Sequence, residues 1–117
     1  MKLQHHPSLT VERWKSFSWD KRLLNIAAEL IRAKNAIQKH DEKGRAGALE
    51  RALELTDLTV EAGREGKTPG FLAEFLRFRE LLASYYICEQ KSEEEIIRLT
   101  EAFFDLDATV HNLHLQI

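Results

Sequence analysis

The residues of this chain predict an all-α fold: an antiparallel up-down four-helix bundle preceded by an N-terminal arm. Three observations carry the prediction. Leu, Ala, Glu, Lys and Arg supply about half of the 117 residues, while Gly and Pro number only five and two, a balance that favours helix over sheet. Apolar residues recur at alternating steps of three and four along stretches of roughly 20 residues. Short polar segments join these stretches, as they do between neighbouring antiparallel helices.

Residues 1–17 read as an arm with one short helix, because Pro7 and Ser8 precede Leu9-Thr10-Val11-Glu12-Arg13-Trp14. Residues 18–117 read as a single helical domain. Ser18 is the N-cap of a first long helix to about Lys39, with Trp19, Leu23, Ile26, Leu30, Ala33 and Ile37 on its inner line. The polar run His40-Asp41-Glu42-Lys43-Gly44 suits a helix end and turn. A second helix is expected from about Arg45 to Ala62, lined by Leu49, Leu53, Thr56 and Val60, with the small Ala48 and Ala52 beside them. Thr68-Pro69 opens a third helix to about Glu89, since proline at the first helical position forfeits no hydrogen bond. Ser92-Glu93-Glu94-Glu95 is a capping box whose three acids complement the helix dipole. The fourth helix then carries Ile96, Leu99, Phe103, Leu106, Val110, Leu113 and Ile117.

Composition excludes several classes. With 17 basic and 19 acidic residues and a net charge of −2, the chain lacks the concentrated basic face of a nucleic-acid binder. No apolar run approaches the roughly 20 residues of a membrane span, and the start MKLQHHPS lacks the apolar core of a secretory signal. The single thiol, Cys88, cannot form an internal disulfide, so a cytoplasmic protein without cofactor is expected.

Two helices carry more apolar surface than one seam needs. In the third, Phe71, Phe75, Phe78, Leu82 and Tyr85 form an ordinary core line, and Leu72, Leu76, Ala83 and Ile87 form a second about 100° away. In the fourth, Ile97, Phe104, Ala108 and Leu115 lie beside the heptad line. Three covers fit such stripes: a second neighbouring helix, the arm with Trp14 and Phe17, or a partner helix or second subunit.

Constellations for chemistry are sparse. Asp107, His111 and His114, at i, i+4 and i+7, share one helical face and could hold a transition metal, although a solvated polar strip explains them as well. His40 and Lys43-Gly44 match the His-x-x-Lys-Gly pattern of histidine phosphotransfer domains, but Asp41 and Glu42 would oppose phosphorylation there. Cys88 lies off the main seam and reads as a packed thiol. There is no glycine-rich phosphate loop and no nucleophile motif, so a binding module is expected rather than an enzyme.

One stretch resembles a known family. Leu30-Ile31-Arg32-Ala33-Lys34-Asn35-Ala36-Ile37-Gln38-Lys39-His40-Asp41, followed by Glu50-Arg51-Ala52-Leu53-Glu54-Leu55 and the Gly66 turn, resembles the layout of flagellar secretion chaperones of the FliS type. Arg22-Leu23-Leu24-Asn25-Ile26 stands where that family has Leu-Tyr-Asp-Gly-Ala. The resemblance implies a helical bundle that holds a disordered flagellin-type client on apolar grooves. On that reading Leu72, Leu76, Ile87, Ile97 and Phe104 are the groove walls, and Trp14 and Phe17 a displaceable cover. The alternative is a homodimer formed through the same stripes.

Overall fold

The computed structural model describes residues 8–63, 65–88, 92–107 and 111–112. The described residues form five helices and no strand: α1 (Val11–Lys15), α2 (Trp19–Gln38), α3 (Glu42–Ala62), α4 (Pro69–Ile87) and α5 (Glu93–Phe104). The capping residues read from the sequence are in place. Ser18, Thr68 and Ser92 each accept a hydrogen bond from a backbone N–H three residues on, at 3.1 Å in every case, which satisfies one of the donors a helix start leaves open. Thr10 does the same for the short α1.

Two boundaries differ from expectation. α3 starts at Glu42, because Asp41 accepts from the Gly44 N–H at 2.9 Å and caps the helix three residues early. Gly44 is thus inside the first turn, and His40 takes the left-handed position, at φ 57°. The His40 N–H reaches Ile37 O at 3.1 Å and the Asp41 N–H reaches Ala36 O at 2.8 Å, the paired bonds of a Schellman ending with histidine where glycine is usual. At the other end, the expected fourth helix to residue 117 stops at Phe104. Asp105 and Leu106 form a turn, and Asp107 forms an ion pair with Lys67 at 2.5 Å, which binds the end of α5 to the α3–α4 connection. Val110, Leu113 and Ile117 lie outside the described residues.

α2 packs against α3 and α5, α3 also against α1 and α4, and α4 against α5. The predicted inner lines are where the core sits: Leu23, Ile26 and Leu30 of α2, Leu49 and Leu58 of α3, Phe75, Phe78 and Leu82 of α4, and Ile96 and Phe103 of α5 are all buried. Successive ring contacts at 4.8–6.5 Å run from Trp19 through Phe71, Phe75, Phe78 and Phe103 to Phe104. They join α2, α4 and α5 through edge and offset contacts that aromatic rings prefer.

The α2–α3 pair also buries charge. Glu29, with its side chain 4% exposed, accepts from Arg51 of α3 at 2.5 Å and from Arg32 one turn along α2. Arg22 is buried, its Nε donating to Phe17 O at 3.1 Å and its guanidinium lying 4.2 Å from the Trp19 ring. Burial lowers its pKa from the ordinary arginine value. A buried charge persists only where such partners replace water.

Candidate protein-docking surface

α4 is the helix whose surface is least accounted for by the core. Its sequence from Leu81 to Cys88 carries no charged residue on any face, a composition that suits a helix surrounded by protein. Yet only Phe75, Phe78, Leu82 and Tyr85 of α4 are buried. The exposed large hydrophobic side chains among the described residues are Leu76, Leu81 and Ile87, at 39%, 51% and 78% exposure, and all three project from α4. Large apolar side chains left this exposed along one helix are candidates for contact with another surface.

Beside this face runs a groove along the α4–α5 seam. Leu81, Ser84, Tyr85 and Cys88 of α4 and Glu95, Arg98, Leu99 and Ala102 of α5 line a mainly apolar hollow of about 310 Å³. A second, more polar hollow continues past Ala102 to Thr68, Gly70, Glu74 and Asp105. The Tyr85 hydroxyl donates to Ser92 O at 3.2 Å and so fastens the end of α4 to the start of α5. Burial pushes the Tyr85 phenol up to about 12, with Arg45 opposing the rise and Glu95 and Cys88 adding to it. The phenol is therefore a donor throughout the physiological range.

The other flank of α4 faces α3 through polar pairs. Arg79 meets Asp57 at 2.5 Å, and the Tyr86 hydroxyl donates to Glu50 at 2.9 Å. The hydrogen bond to Glu50 is the main reason the Tyr86 pKa is raised, and the bond to Asp57 the main reason the Arg79 pKa is raised.

The residues singled out from the sequence are dispersed. Leu76 and Ile87 are exposed on α4, while Leu72 and Ile97 are partly buried. Phe104 is a core residue at 2% exposure, in edge contact with Phe103, and lines no open groove. Trp14 is likewise part of the core. Its indole N–H donates to Thr59 Oγ1 at 2.8 Å, and α1 packs on α3, so the arm completes the core instead of lying over the α4–α5 groove. Phe17 is partly buried against Trp14, with ring centres 5.7 Å apart. Leu81 was missed because it falls on neither apolar line of α4.

The chemical constellations disperse too. His40 is exposed in the α2–α3 turn and not in mid-helix. Asp107 is engaged by Lys67, His111 stands 3.5 Å from Asp105, and His114 lies outside the described residues. Among the described residues no three His, Cys, Asp or Glu side chains are grouped as a metal site. Cys88 is exposed at the end of α4 instead of packed. None of the described helices is long and apolar enough to cross a membrane. No protein-family model matches the chain, and no curated protein or solved structure matches it either.

Proposed function

We propose that this chain is a non-catalytic helical binding module that holds an apolar segment of a protein partner along the α4–α5 groove. The observation that carries the reading is the exposure of Leu76, Leu81 and Ile87 on one helix beside an apolar groove. α2 to α5 form the antiparallel up-down bundle on which the groove is built; the short connections and the order of packing neighbours support this arrangement. An amphipathic helix is the partner shape that such a groove accepts. The resemblance to the flagellar chaperones makes a disordered flagellin-type segment the first client to try, in a cytoplasmic setting. The client would fold as it binds and bury the surface that otherwise drives its polymerisation.

Calorimetric titration of the full chain with a flagellin C-terminal segment at two temperatures tests this. Binding with a clearly negative heat-capacity change, abolished by Ala102→Asp at the centre of the groove, is the expected result. An absence of heat at both temperatures, with the protein folded, removes this client.

A further inference from the structure

We infer that the outward face of α4 also docks a second copy of this chain, with the two α4 helices antiparallel across a two-fold axis. The inference rests on the reading of α4 as a contact helix and commits to its own occupant. The face opposite the core line consists of Gly70, Ala73, Leu76, Arg77, Glu80, Leu81, Ser84 and Ile87, all exposed. In a two-fold contact each residue meets a fixed counterpart, and the relation is reciprocal. About a point midway between Phe78 and Arg79, the face is complementary to itself. Arg77 falls opposite Glu80 of the second copy, Ala73 opposite Ser84, and Gly70 opposite Ile87, while Leu76 and Leu81 lie on opposite edges of the face, Leu76 beside Ala83 of the second copy. Opposite charges meet, and small residues let the helices approach closely on both sides of them.

Ile87, the most exposed of the large side chains, would meet the open space at Gly70. The nearest atom to a Cβ position there is Thr68 Oγ1, 3.8 Å away. Within one chain Arg77 pairs with Glu74 at 3.2 Å and Glu80 with Arg79 at 3.3 Å. Both are exposed contacts of the kind that hold little free energy, so Arg77 and Glu80 are free to exchange them for partners across the axis.

Charge reversal tests the register. Sedimentation of the full chain over a wide concentration range, in reductant so that Cys88 cannot link copies, should show a monomer–dimer equilibrium. Arg77→Glu or Glu80→Arg alone sets like charges opposite each other twice per dimer and should weaken association about tenfold or more. The two single variants mixed, or the double variant alone, restore opposite pairs and should recover the dimer. Both positions changed lie on the exposed face, and circular dichroism confirms that each variant is folded. A monomer at every concentration overturns the inference, even if the flagellin segment still binds. A dimer indifferent to both reversals overturns it as well, since it would be built on another face. A dimer that follows the reversal pattern but binds no client supports it and leaves only the client reading to fall.

Discussion

The α2–α3 pair and α4 treat polarity in opposite ways. α2 buries Arg22 and Glu29 and gives each a partner, and α3 buries Thr56 and Thr59 with their hydroxyls bonded to the carbonyls one turn back. α4 instead leaves Leu76, Leu81 and Ile87 in water. Polar groups inside cost stability unless paired, and apolar groups outside gain nothing unless covered. The first region is therefore held together by paired polar groups, and the second carries apolar surface that the fold itself does not cover.

Substitutions should separate the two roles. The largest effect is expected at Trp14, which fills the core between α1 and α3 and donates to Thr59. Trp14→Ala should cost about 4 kcal/mol in chemical denaturation, with little change in denaturant slope. An equally stable variant would show that α1 is a loose cover. Glu29→Ala comes next, at about 2 kcal/mol. That is less than a fully buried pair would lose, because the Arg32 and Arg51 side chains, 63% and 33% exposed, can turn toward water.

His40→Gly should act in the other direction. Glycine adopts the left-handed backbone of the α2–α3 turn without the clash that histidine bears, so the melting midpoint should rise by an amount equivalent to about 1 kcal/mol. Leu81→Asp, by contrast, should change stability by less than about 0.5 kcal/mol while reducing association.

Alkaline pH separates the regions again. The Tyr85 phenol is raised to about 12 in the folded chain from a reference of 10.0. Its contribution to stability is therefore complete below pH 10, and is lost as pH rises from 10 through 12, because the unfolded phenol ionises first. Denaturation followed over that window should steepen with pH in the parent and flatten in Tyr85→Phe. Tyr86, raised by its bond to Glu50, adds to the parent slope with the same sign.

Most of the helical framework was legible because its signals are local. Ser18, Thr68-Pro69 and Ser92 announce helix starts by side-chain chemistry a turn long, and the phenylalanine line of α4 announces its buried face by period alone. What was hidden depended on distant residues or on competition between signals. Glu29 reads as a surface acid until Arg51, 22 residues later, is brought beside it. Asp41 outcompetes Gly44 as a helix boundary because a carboxylate that caps a free N–H decides the start more firmly than a nearby glycine decides an end. The 3.6-residue pattern continues past Phe104, but α5 ends there in a turn at Asp105 and Leu106, beside which Asp107 pairs with the distant Lys67. The α4 surface was half legible: the excess of apolar residues was evident, but the exposure of Leu81 emerges only once α3 and α5 have claimed the other sides.

The contrast between the regions is tested most directly by amide chemical shifts recorded across a dilution series of the full chain. The expected result is shifts that move with concentration at Ala73, Leu76, Arg77, Glu80, Leu81 and Ser84, while Leu23 to Leu30 and Leu49 to Leu58 stay fixed. Shifts that are constant throughout, or that move along α2 and α3 instead, would contradict self-association through α4.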